Sequence, residues 1–114
     1  MTVRGGDRSI DVVQLGLGDD GHTASLVPDD PVLEVRDRDV ACCGEYRGAP
    51  RMTLTYPSLD RARSVLWLVS GEGKAAMVAR LFDADPGIPA GRVSQAHATL
   101  FADTAAASRL DRTQ

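Results

Sequence analysis

The chain has 114 residues, 43% hydrophobic and 25% charged, with a net charge of −3 at pH 7 and an isoelectric point near 5.2. That balance fits one globular domain or part of a larger one and argues against disorder. With an acidic surface and only 4% aromatic residues there is neither a basic stripe for polymer phosphates nor a stacking platform, so nucleic-acid binding is disfavoured.

Residues 1–9 read as irregular. The opening MTVRGGDRSID lacks the apolar core of a signal peptide, and the longest strongly apolar run, Val65 to Val69, is far shorter than the ~20 residues of a membrane helix; a cytoplasmic chain without a membrane partner is expected. Ile10 to Leu15 is a β-branched and aliphatic run ending at Gly16, the pattern of a buried strand entering a glycine-rich loop. A short helix over His22 to Val27 would be stopped by Pro28 and Pro31, with Asp29 and Asp30 between them. Val40 to Cys43 reads as a short strand. Cys42 and Cys43 are adjacent, so a disulfide between them would be strained, and without a second pair they make no zinc site; they are expected as reduced core residues.

Met52 to Thr55 has strand character, Tyr56-Pro57 breaks it, and Ser58 to Ala62 follows as a short helix. Ser64 to Val69 reads as the central strand. The turn Ser70-Gly71-Glu72-Gly73 leads into a helix over Lys74 to Phe82, with Ala75, Val78, Leu81 and Phe82 on one face. Ala98 to Ala102 is a last strand, and Asp103 could cap a terminal helix over Thr104 to Leu110. There is no internal repeat or low-complexity stretch. Strands alternating with helices imply an α/β fold, a layered and mostly parallel sheet flanked by helices, in which ligands gather at the carboxyl ends of strands. The glycine turns after Leu15 and after Val69 both lie at such ends, where they can face one crevice.

Gly16-Leu17-Gly18-Asp19-Asp20-Gly21 satisfies G-x-G-x-x-G directly after a strand, which raises a dinucleotide site. Two carboxylates inside the loop would repel a pyrophosphate and Pro28 cuts the following helix short, so that reading is rejected. The same residues suit proton transfer. His22 sits two residues from Asp20, a carboxylate able to fix its tautomer, and glycines at 16, 18 and 21 allow positive φ and could turn amides toward a developing oxyanion. From the residues alone, an acidic Gly/Asp turn with a solvent-facing histidine explains the segment as well. A metal on Asp19, Asp20 and His22 is conceivable, but neighbouring turn carboxylates are usually solvated, and His97 has no ligand partner at suitable spacing; no metal and no cofactor are expected. Neither Ser25 nor Ser70 lies in a G-x-S-x-G elbow, which argues against a serine nucleophile.

Lys74 stands at a helix start, where a cation opposes the macrodipole and a bound phosphate would relieve the conflict; an ordinary exposed lysine is the plain alternative. Arg51, after Pro50, could offer a bidentate fork to phosphate or be a surface-paired strand-end arginine.

IDVVQLGLGDDGHTASLVP, PRMTLTYPSL, SVLWLVSGEGKAAMV and ATLFADTAAA resemble, in order and spacing, the second half of the 6-phosphogluconolactonase family. The first is the specific one, because the family carries D-x-x-x-L-G-x-G-x-D-G-H-T-A-S-L-F-P ahead of its active site, with the histidine as general base. The resemblance implies a NagB/RpiA/CoA-transferase-like fold and a cofactor-free hydrolysis of 6-phospho-D-glucono-1,5-lactone in the oxidative pentose phosphate pathway. It further implies a base at His22, an orienting Asp20, substrate contacts at Gly18 and Gly21, and phosphate contacts from Lys74 and Arg51. The related glucosamine-6-phosphate deaminases continue D-G-H with I-A-F-N-E-P, whereas T-A-S-L-V-P here favours the lactonase. Val27 replaces the usual aromatic and Asp19 the usual Glu or Pro. Family members are about twice as long, so residues 1–114 correspond to a single partial domain. An inactive half-domain, a deaminase-like enzyme, and self-association through an incomplete sheet edge are the other readings.

Overall fold

The computed structural model describes residues 9–46 and 48–110. Its elements are β1 (Val13–Leu15), β2 (Val40–Tyr46), β3 (Ala49–Leu54), α1 (Tyr56–Asp60), β4 (Val65–Val69), α2 (Ala75–Phe82) and β5 (Ala98–Ala102), with 3-10 turns at Pro31–Glu34, Glu72–Lys74 and Pro89–Arg92. All but Ser9 of the stretch expected to be irregular lies outside the described residues.

The expected parallel sheet is present, in the order β1-β4-β5, with Leu15 beside Trp67 and Trp67 beside Leu100. Strand alternation puts Val13, Leu15, Val65, Trp67 and Val69 on one buried face, where they join Leu59 of α1 and Val78 and Leu81 of α2 in a single core cluster. Each such side chain contributes about 1.5–3 kcal/mol by leaving water. Tyr56 lies in the same cluster and donates its hydroxyl to Pro89 O at 2.6 Å; burial pushes its pKa up to about 12, so it remains a neutral donor. On the opposite face of the sheet Leu68 and Phe101, paired across β4 and β5, are exposed, as is Val12 just ahead of β1.

Several elements depart from expectation. β2 and β3 form a separate antiparallel hairpin, with Cys43 opposite Arg51, instead of joining the parallel sheet. Cys42 faces outward and is exposed, so it is no core residue; Cys43 is half-buried, and both are free thiols. β1 begins only at Val13. β3 ends at Leu54, ahead of Tyr56-Pro57 as expected, but α1 starts on Tyr56 instead of Ser58, with Pro57 in its first turn, where a proline has no hydrogen bond to lose. No helix forms over 22–27: Thr23 and Leu26 pair across a tight reversal with Ala24 at φ 51°, left-handed backbone that ends helical propagation. After β5 the chain turns without a regular helix, although Asp103 does cap it, accepting from Ala106 N at 2.8 Å and from Gly71 N.

α2 ends in a Schellman-type closure, with Ala84 N donating to Leu81 O and Asp85 N to Arg80 O, and places Ala84 at φ 53° where glycine is the usual residue. Ala84→Gly is therefore expected to stabilise the chain by about 0.5–1 kcal/mol, read as a higher urea midpoint at unchanged m-value. An unchanged or lower midpoint contradicts this account of the helix end.

Candidate active site

β1 ends on Leu15, and the loop that follows is built by its own backbone. Gly18 N donates to His22 O at 2.9 Å and Gly21 N to Gly18 O at 3.0 Å, closing a tight reversal. Thr23 Oγ1 ties the returning chain to Gly16 O at 2.8 Å. Of the three glycines expected to use positive φ only Gly21 does, at 86°; it also packs against Ile88, leaving no room for a Cβ. Gly18 is needed for a different reason, since a Cβ there would fall on the His22 ring. The amides of Gly18 and Gly21 are engaged inside the loop, which removes the expectation that they face an oxyanion.

The folded loop presents His22 to Asp20. Asp20 Oδ1 lies 2.6 Å from His22 Nδ1 and accepts the His22 backbone N–H at 3.0 Å. Partial burial alone would raise the Asp20 pKa, but hydrogen bonds from the His22 ring and backbone outweigh it and hold the carboxyl below its ordinary value. An ionised carboxylate can only accept, so Nδ1 must carry the hydrogen, and in a neutral ring the lone pair for proton uptake is on Nε2.

Lys74, last residue of its 3-10 turn and first flank of α2, reaches back across the carboxyl edge of the sheet. Its Nζ donates to Leu17 O at 2.8 Å and pairs with Asp19 Oδ1 at 2.9 Å. Gly16, Leu17, Gly18, His22, Thr23, Ala24 and Lys74 line an open groove of about 370 Å³. The structure thus unites Gly18, His22 and Lys74, with Asp20 behind the histidine. Gly21 shapes the loop without lining the groove. Arg51 stands beyond it, donating through Nε to Ser25 Oγ at 3.1 Å. Ser25, considered in the sequence only as a nucleophile, is a buried connector: its backbone N donates to Thr53 Oγ1 at 3.0 Å, so β3 grips the loop at two alternate residues. Nothing in the local sequence marks that contact, which spans 28 residues. A second hollow of about 230 Å³, between α2 and β5, is lined by Trp67, Leu81, Phe82, Gln95, Ala98 and Leu100 and carries no titratable group. Among the described residues no cluster of His, Cys, Asp or Glu is placed to hold a metal, and no helix is long and apolar enough to cross a membrane.

The family model described as glucosamine-6-phosphate isomerases/6-phosphogluconolactonase matches residues 2–102. The chain is similar to the 6-phosphogluconolactonase of Synechocystis sp., 49% identical over 80 residues that cover 68% of this chain and 33% of that one. It is 43% identical to the 6-phosphogluconolactonase of Rattus norvegicus over 105 residues, 88% of this chain and 41% of the relative. Among solved structures it resembles 6-phosphogluconolactonase from Trypanosoma cruzi, with a TM-score of 0.77 and 27% identity over 96% of this chain and 46% of that one. The chain therefore spans a third to a half of the length of the relatives it matches.

Because Asp20 is held ionised by His22, its carboxyl is expected to titrate below the ordinary carboxylate value of about 3.9, and His22→Ala should bring it upward. The stability this pair contributes is present above the unfolded pKa and is lost as pH falls through the lowered folded value. Carbon-13 titration of the Asp20 carboxyl reads both; a value at or above the ordinary one contradicts the geometry.

Proposed function

This chain belongs to the glucosamine-6-phosphate isomerase/6-phosphogluconolactonase family, and we propose that its groove is the base-bearing part of a site that hydrolyses 6-phospho-D-glucono-1,5-lactone to 6-phosphogluconate. The observation that carries this reading is a histidine fixed by an ionised aspartate on the lip of a groove whose other wall holds a lysine. In the proposed reaction Nε2 of His22 takes a proton from a water molecule as its oxygen attacks the lactone carbonyl. The tetrahedral adduct then collapses, the bond to the ring oxygen breaks, and the imidazolium returns the proton to that oxygen. Asp20 keeps the ring in the required tautomer and balances the charge on the imidazolium. Lys74 meets the substrate phosphate at the groove, with Arg51 as a second cation steadied by Ser25.

A deaminase-type ring opening fits less well. The segment after His22 offers no carboxylate: Thr23 and Ser25 occupy that turn and are spent on Gly16 O and on Arg51 and Thr53. As the matched portion is less than half of the relatives' length, the proposal includes groups from outside residues 9–110, and self-association through the sheet edges and the exposed Val12, Leu68 and Phe101 is one way to supply them.

The decisive assay follows lactone loss above the spontaneous rate, for this chain across a concentration series and for a chimera in which it replaces the matched segment of the Synechocystis relative. His22→Ala is expected to lower the enzymatic rate by about 10²–10⁴-fold, and specific activity rising with concentration marks assembly. Wild-type turnover in the His22→Ala chimera would overturn the assignment, as would preferential turnover of glucosamine 6-phosphate.

A further inference from the structure

Lys74 is occupied before any ligand arrives, and its two partners are of unlike kind. Leu17 O belongs to the loop backbone next to β1 and cannot leave without unfolding that reversal. The Asp19 carboxylate is 86% exposed on a side chain that can rotate into solvent. We propose that Asp19 is a displaceable counter-ion that sets the affinity of Lys74 for the substrate's phosphate, while Leu17 O keeps the ammonium aimed at the groove. The proposal rests on the reading of Lys74 as the phosphate contact.

The physical argument is a competition for one cation. An ammonium has three donors and this one commits two of them to the chain. A solvent-exposed carboxylate gains little from such a pair, so it yields easily. A phosphate monoester brings nearly twice the charge and three acceptor oxygens, and so displaces it. If Asp19 stays near after displacement, its charge repels the phosphate; if it swings away, its own pairing with Lys74 has been given up. Either way the carboxylate weakens net binding. The division of labour along the loop is sharp, because Asp19 turns toward Lys74 whereas its neighbour Asp20 turns toward His22. Asp19 therefore acts on binding and leaves the proton-transfer pair alone, so removing it lowers KM without changing kcat.

Inorganic phosphate titrated at low salt, followed by chemical-shift changes, tests this in the whole chain. Asp19→Asn should bind phosphate about 2- to 5-fold more tightly, equivalent to about 0.4–1 kcal/mol. Asp83→Asn, which removes one exposed carboxylate away from Lys74, should bind like the wild type, so net charge is controlled. Lys74→Met should lose most of the affinity. Structural damage does not raise affinity, so a gain in Asp19→Asn is diagnostic. If Lys74→Met loses phosphate while Asp19→Asn binds no better than wild type, or Asp83→Asn gains as much, the counter-ion role is overturned and Lys74 keeps its assignment. If Lys74→Met binds phosphate as the wild type does, the phosphate reading of Lys74 fails and takes the counter-ion role with it.

Discussion

Parallel pairing is the constraint on which the site depends. β1 and β4 run the same way with Leu15 beside Trp67, so the loops that leave them emerge from the same edge of the sheet. Leu17 and Lys74, 57 residues apart, meet there through a single hydrogen bond. Antiparallel pairing of the same strands would send the two loops to opposite ends, and no groove would exist. β5 on the far side of β4 completes the ladder that keeps β4 central, while α1 and α2 both bury into the same face and leave the carboxyl edge uncovered.

Within that frame, contacts of very different strength divide the work. Packing and backbone closure fix the loop: the absent Cβ of Gly18, the positive φ of Gly21 against Ile88, the Thr23–Leu26 pairing, and the grip of Thr53 and Arg51 on Ser25. These are short-range and hard to deform. Upon them sit partly exposed charged pairs, Asp20 with His22 and Asp19 with Lys74, which contribute little to stability and can respond to a ligand. A rigid loop carrying soft charges suits the proposed acid–base chemistry on a phosphorylated substrate, since positions must hold while protons and counter-ions exchange.

Much of this was legible in the sequence where local patterning and tertiary structure agree. SVLWLV is central because a run that apolar is stable only with strands on both sides and a helix-covered face, and Ala98 to Ala102 matches β5 residue for residue. The Asp20–His22 pair was permitted by spacing in a glycine loop but not required by it, and the family resemblance selected it over a solvent-facing histidine. What stayed hidden depends on contacts far along the chain or on unusual backbone. Ala24 and Ala84 take left-handed φ without being glycine, so nothing marked the reversal after His22 or the closure of α2. Gly16 and Gly18 announced positive φ that they do not adopt: Gly18 is kept for space, since a Cβ there would fall on the His22 ring, whereas a Cβ on Gly16 would meet no neighbour. The β2–β3 hairpin read as more of the alternating sheet, since two short strands do not disclose their partners. Asp19 looked like a solvated turn carboxylate until Lys74 was placed beside it.

The proposed base is an imidazole held in one tautomer by an ionised aspartate, and nitrogen-15 correlation of the His22 ring in its neutral form tests this most directly. Nδ1 is expected to show the shift of a protonated nitrogen, moved downfield by its hydrogen bond to Asp20, with Nε2 showing the shift of an unprotonated nitrogen, and the preference should be lost in Asp20→Ala. A ring protonated on Nε2, or one averaging between tautomers as a solvent-facing histidine does, would contradict it.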